Sequence, residues 1–397
     1  MKPELLAVRA VNQYRRRDVL AYLGLRYYFE NTCALTDKWA SEISTHLVHT
    51  KGTPIYYRSY HFKEMESEKV IHRNIYVPGP NEAFVEAMLI NECSLHPAFY
   101  PLDCVYSYQF PDPNSKEGIF RSYFPGFQRR HHSIASFCRT LPDTKVLYTD
   151  IKKFYPSIKK DLALKSWISA CDVAKIDPRF RELGERLIFD HDSTSTTYNE
   201  GEGILTGPMF SHLIANLVLA KIDEEMSEIM GGRYWRYVDD MVLVGSDDEI
   251  KNGREKLTAM LDNLDFKLHE EGKDFTVSAT TWLDGADDFN NSIGKAWISL
   301  IANIKYFLVA HPERRKELAD MFLENGINIP LLDYSQAVME STYLERFSVW
   351  LRHRWMAKSV RGLTTRKLLK DALATREIYQ IGMKLLLEKT SDISGSD

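Results

Sequence analysis

Apolar positions recur at helical spacing near the N-terminus, at Leu5, Leu6, Val8, Val11 and Tyr14, and predict helix within residues 1–50. Residues 54–78 concentrate β-formers, at Tyr56-Tyr57 and from Ile71 to Val77, and predict strands ended by Pro78-Gly79-Pro80. Asn81 is placed to cap a helix reaching Asn91. Residues 98–128 are aromatic and broken by Pro101, Pro111, Pro113 and Pro125, a pattern of loops and short strands. Val146-Leu147-Tyr148-Thr149-Asp150-Ile151 is a β-rich run carrying an acid near its end. Residues 161–190 predict helix and 191–203 a polar loop. A long helix is predicted from Pro208 to Met230, where Gly231-Gly232 breaks it. Arg233–Tyr237 and Met241–Val244 predict a hairpin around Val238-Asp239-Asp240. A helix over Asp248–Leu264 and strand-like segments to Leu283 follow. From Gly294 the pattern is almost wholly helical, with residues 391–397 expected to be a disordered tail. The fold class expected is α+β.

Length changes this picture by allowing more than one compact unit in 397 residues. Hydrophobic residues make up 44% and charged residues 27%, an ordinary globular balance. No apolar run reaches the roughly 18 residues of a membrane span. Met1-Lys2-Pro3-Glu4 leads into charged sequence without a signal-peptide core, so no membrane association and a cytoplasmic location are expected. The five cysteines, Cys33, Cys93, Cys104, Cys138 and Cys171, form no CxxC pair and read as buried free thiols. Net charge is −4, so any nucleic-acid surface must be a local cluster of cations.

The chemistry lies in acids at strand ends. A Val-Asp-Asp turn alone is ordinary, because Asp bonds its own backbone in turns. Its pairing with Asp150 changes the reading. Phosphoryl transfer to a hydroxyl uses two divalent ions about 4 Å apart. Magnesium wants oxygen ligands. A strand end facing a hairpin tip supplies three carboxylates on rigid elements.

These residues resemble a known family. Asp150-Ile-Lys-Lys-Phe-Tyr-Pro-Ser-Ile158 resembles motif A of reverse transcriptases, and Gly203-Ile-Leu-Thr-Gly-Pro-Met-Phe-Ser211 motif B. Tyr237-Val-Asp-Asp240 resembles the motif C box, and Phe266-Lys-Leu-His-Glu-Glu-Gly-Lys273 is similar to motif D. The resemblance covers residues 70–285. It implies a right-hand polymerase: fingers, an antiparallel palm sheet backed by helices, and an all-helical C-terminal region. The corresponding division is 1–145 for N-terminal helices and fingers, 146–290 for the palm, and 291–390 for a thumb or extension. The resemblance implies two Mg²⁺ ions, with Mn²⁺ able to substitute. Asp150, Asp239, Asp240 and the backbone of Ile151 would form the metal site, with Asp240 the weaker ligand. Tyr155 would block a ribose 2′-hydroxyl and favour deoxynucleotides. Thr206 and Gly207 would line the nucleotide site, Lys273 would protonate pyrophosphate, and Arg73 would grip the triphosphate, a task that Lys63 or Lys69 could share.

Motif B departs from the usual Gly-x-Pro-Gln-Gly followed by Ser-Pro: Leu205, Thr206 and His212 stand for the first Pro, the Gln and the second Pro. Thr-Gly-Pro at this place resembles the bacterial defence-associated and abortive-infection reverse transcriptases. That subgroup implies copying of an RNA template, a noncoding RNA encoded nearby, into DNA from dNTPs in antiphage defence. It leaves open synthesis without a template or primed from a protein side chain, a catalytically silent RNA-binding scaffold, and a homo-oligomer or companion protein. Arg352, Arg354, Lys358, Arg361, Arg366 and Lys367, with Trp350 and Trp355 interleaved, form the strongest candidate groove for a nucleic-acid backbone. Arg129-Arg130-His131-His132 is a second candidate for phosphate contact.

Overall fold

The computed structural model describes residues 3–15, 19–31, 56–66, 69–198, 203–269, 274–285, 292–327, 329, 331, 349, 351 and 362–394. In chain order these form α1 (Pro3–Arg15), α2 (Val19–Asn31), β1 (Tyr56–Glu66), β2 (Lys69–Pro78), α3 (Pro80–Cys93), α4 (Tyr123–Thr140), β3 (Lys145–Asp150) and α5 (Phe154–Ser157). They continue with α6 (Lys160–Ala174), α7 (Pro178–Thr197), α8 (Met209–Ile229), β4 (Tyr234–Tyr237), β5 (Asp240–Gly245) and α9 (Asp247–Asp262). The last are β6 (Phe275–Ser278), α10 (Ala279–Gly285), α11 (Ser292–Ala310), α12 (Arg315–Glu324) and α13 (Thr365–Ser394). The fold is mixed α+β, and no helix among the described residues is long and apolar enough to cross a membrane.

Two compact units result. The first falls within Met1–Arg16, Thr32–Tyr56 and Pro78–Phe289. Its centre is a four-stranded antiparallel sheet in the order β4-β5-β3-β6. Strand alternation gives that sheet two different faces. Val146, Trp235, Val242 and Val244 pack against Ile134 and Cys138 of α4 and against Ala279 and Trp282 of α10. On the other face, Tyr234 and Arg236 reach Asp223 of α8, and Gly253 lets α9 approach Leu243 closely enough that a Cβ would stand 2.9 Å from it. Met241, Val242, Leu243 and Val244 are therefore all buried, as expected of a strand covered on both sides. The start of α9 is set by a capping box between Ser246 and Glu249.

The second unit falls within Arg17–Asn31, Tyr57–Val77 and Asn290–Asp397. The paired strands β1 and β2 lie mostly in it. Its core is a stripe on α11, Trp297, Leu300, Ile301, Ile304, Phe307 and Leu308, packed with Leu318 and Phe322 of α12 and Leu368 and Ala372 of α13. Lys305 is buried and donates to Ser59 Oγ at 3.2 Å.

Several boundaries differ from expectation for local reasons. Pro80, not a capped Asn81, opens α3, since a first-turn residue needs no N–H partner. Pro125 likewise sits in the first turn of α4 instead of breaking the chain there. The polar stretch expected to be loop is helix through Thr197, where Thr194, Thr196 and Thr197 satisfy their hydroxyls on the carbonyls of Asp190, Asp192 and Ser193 one turn back rather than on the local N–H groups that would favour a turn. The tail expected to be disordered from 391 is helical to Ser394, just before Gly395. Cys93, Cys104, Cys138 and Cys171 are free thiols, all but Cys104 buried, while Cys33 lies outside the described residues.

Candidate functional site

Asp150 closes β3 and Asp240 opens β5, and the two face each other as register partners. Asp239 occupies the two-residue turn between β4 and β5 with Val238, since Tyr237 pairs with Asp240 across it. Ligand oxygens of Asp150, Asp239 and Asp240 lie within 4.8 Å of one another, close enough to hold a metal ion. Asp150 is buried and the other two half-buried. Three carboxylates so placed repel each other, and a divalent cation relieves the repulsion. The donor set, all carboxylate oxygen on adjoining strands, suits a hard cation.

The turn is clamped rather than relaxed. Val238 has φ 59°, a left-handed conformation unfavourable for a β-branched residue. Its N–H donates to Ser107 Oγ at 2.9 Å, and its carbonyl accepts from Arg236 Nη1 at 2.7 Å. Arg236 is fully buried and forms a two-pronged pair with Asp223, at 2.7 and 2.6 Å. Asn216 Oδ1 accepts a further bond from Arg236 at 3.2 Å. Helix α8 thus fixes the hairpin that carries Asp239.

Alternation places Tyr148 on the same face as Asp150. Its Oη donates to Asp240 Oδ1 at 2.5 Å. Burial, then the charge and hydrogen bond of Asp240, hold the Tyr148 hydroxyl well above the usual phenol range, so it remains a donor. Arg130 Nη1 donates to the Asp240 carbonyl at 3.4 Å, and its guanidinium lies over the rings of Phe127 and Tyr237 at 4.9 and 5.6 Å. His269 Nε2 stands 3.7 Å from Asp150 Oδ2, and the His269 backbone N–H donates to the Asp150 carbonyl at 2.9 Å. The sequence gives Tyr148 and His269 no role of their own, although period-two alternation already puts Tyr148 on the face of Asp150.

Among the other expected site residues, Ile151 is buried, and its N–H donates to the Asp239 carbonyl at 3.3 Å. Tyr155 follows on α5, nearly buried, its Oη 2.6 Å from His212 Nδ1. Thr206 and Gly207 lie half-buried before α8, with Gly207 at φ 121°. The segment at residues 203–204 meets the one at residues 156–158 closely: Ile204 N–H donates to the Ile158 carbonyl at 3.1 Å, and a Cβ on Gly203 would meet the Pro156 carbonyl oxygen.

Arg73 is exposed on β2, in the second unit. Lys273, Arg352, Arg354, Lys358 and Arg361, with Trp350 and Trp355, lie outside the described residues, as do the side chains of Lys63 and Lys69. Arg366 and Lys367 are exposed in the first turn of α13. The second cationic candidate is corrected in part: Arg130 is buried against the sheet and contacts Asp240 and two rings, so it does not face solvent as a phosphate-binding residue would, whereas Arg129 and His132 are exposed.

No protein-family model matches the chain, and no curated protein matches it.

Proposed function

We propose that the chain is a reverse transcriptase, an RNA-directed DNA polymerase. In this reading the four-stranded sheet and its helices are the palm, and the β1–β2 pair belongs to the fingers. The observation that carries it is the register pairing of Asp150 with Asp240, with Asp239 in the adjoining turn and all three carboxylates within 4.8 Å. Two Mg²⁺ ions, or Mn²⁺ in their place, would supply activation of a primer hydroxyl and neutralisation of a triphosphate when bound. Asp150 and Asp239 would hold them. Asp240, with one oxygen engaged by Tyr148, would contribute charge and a weaker ligand. Tyr155 would exclude a nucleotide bearing a 2′-hydroxyl, and the Thr206-Gly207 turn would line the nucleotide site. The template in this proposal is RNA, and the resemblance to defence-associated enzymes extends the proposal to a nearby noncoding RNA and an antiphage role.

The test is synthesis by the purified protein with its bound nucleic acid, Mg²⁺ and labelled nucleotides. The reading predicts deoxynucleotide incorporation that RNase treatment before the reaction abolishes. Incorporation of ribonucleotides alone would overturn it. Product that survives removal of all nucleic acid would point to untemplated or protein-primed synthesis by the same site. RNA binding with no synthesis would point to a scaffold.

A further inference from the structure

Tyr155 does not stand by itself. Its Oη is 2.6 Å from His212 Nδ1 and 3.2 Å from Tyr108 Oη. The phenol has one proton, so when it donates to Tyr108 Oη it accepts from His212 Nδ1–H. The His212 ring stacks on that of Tyr108, centroids 4.0 Å apart and planes within 6°. Phe120 closes the cluster, its ring 5.5 Å from Tyr108 and 6.4 Å from His212. His212 is 3% exposed and Tyr155 9%, so water competes little for these bonds.

The cluster is anchored at its base. Tyr108 has φ 51°, a conformation that a bulky residue adopts only when its surroundings enforce it. The preceding Ser107 provides that enforcement: its Oγ accepts from Val238 N–H at 2.9 Å, and its carbonyl from Asn216 Nδ2 at 3.3 Å. Ser107 and Tyr108 therefore touch the segments of Asp239, of α8 and of Tyr155 at once.

We infer that His212 and Tyr108 are positioning residues that fix the ring of Tyr155 and thereby set sugar selection. The inference rests on the polymerase reading and deepens it. An aromatic discriminates a single hydroxyl only if its ring cannot yield, and displacement by about 1 Å at a reacting site is enough to change rates about 100-fold. Two hydrogen bonds and a stacked partner hold this ring against such movement.

The experiment measures kcat/KM for a deoxynucleotide and its ribonucleotide with Mg²⁺ in the wild type, Tyr155→Ala, Tyr155→Phe, His212→Ala and His212→Asn. Tyr155→Phe retains the ring and loses both hydrogen bonds. The Asn amide reaches the place of His212 Nδ1. The inference expects the preference for deoxynucleotide to fall about tenfold in Tyr155→Phe and His212→Ala. The fall should come mainly from a gain in ribonucleotide kcat/KM, and His212→Asn should restore part of the preference. A ratio that moves only in Tyr155→Ala would overturn the inference while leaving the polymerase reading intact. A wild type with no synthesis would overturn that reading and the inference with it. If His212→Ala does not fold, the nearly isosteric Tyr155→Phe decides.

Discussion

Tyr148 Oη donates to Asp240 Oδ1 at 2.5 Å, so one oxygen of this carboxylate is already engaged on the face that carries Asp150. The bond orients the carboxylate of Asp240. Tyr148→Phe removes the donor and retains the ring, which stacks on Phe275 at 5.2 Å. A hydrogen bond to a charged group contributes about 1.5–3 kcal/mol. Loss of a group that orients a ligand weakens a metal site, so the Mg²⁺ concentration for half-maximal synthesis is expected to rise about tenfold in the variant, with a loss of stability no larger than about 3 kcal/mol. A Mg²⁺ titration at saturating nucleotide measures it.

The Arg236–Asp223 pair should act on stability and activity together. Asp223→Ala leaves a buried guanidinium without its counter-charge, at a cost of about 3–5 kcal/mol. Urea denaturation should show this loss. Activity should fall further than the folded fraction explains, because Arg236 also holds the Val238 carbonyl in the turn that carries Asp239.

Gly203 tests the seam between the segments at residues 156–158 and 203–204. A Cβ there would meet backbone, the Pro156 carbonyl oxygen, which cannot swing aside as a side chain can. Gly203→Ala is expected to destabilise by about 1–3 kcal/mol and to raise the nucleotide KM. Denaturation and steady-state kinetics check the two effects.

Much of this architecture was legible in the chain. The run to Asp150 and the Gly231-Gly232 break before the hairpin marked the acids as strand-end residues, because period-two alternation and turn chemistry are local signals. The role of Ser107 and Tyr108 was not legible. Ser107 meets Val238 across 131 positions, and no local pattern encodes that meeting. Pro125 and the Ser/Thr-rich end of α7 misled for a different reason: composition argues against helix, but a first-turn position and side-chain bonds to preceding carbonyls remove the objection. His212, noted in the sequence only as a departure from a motif, acquires a partner in Tyr155 once the fold is formed.

Stability should depend on pH through the start of α9. The Arg233 guanidinium, then Ser246, holds the Glu249 carboxyl down at about 2 from its ordinary 4.5. The contribution is present above about pH 4.5 and is lost as pH falls toward 2. Glu249→Gln should lower stability at neutral pH modestly, since the pair is solvent-exposed in part, and should flatten the decline between pH 4.5 and 2. Denaturant midpoints across that range measure the difference.

The central claim is tested most directly by incorporation of one labelled deoxynucleotide in Mg²⁺, comparing the wild type with Asp150→Asn at matched folded concentration. Loss of a group that only hydrogen-bonds and orients a ligand already weakens a metal site about 10- to 100-fold. Loss of a ligand should therefore reduce incorporation at least about 100-fold, while the wild type extends product and discriminates against the ribonucleotide. Equal incorporation by the two proteins, or a wild type that accepts only ribonucleotides, would contradict the account.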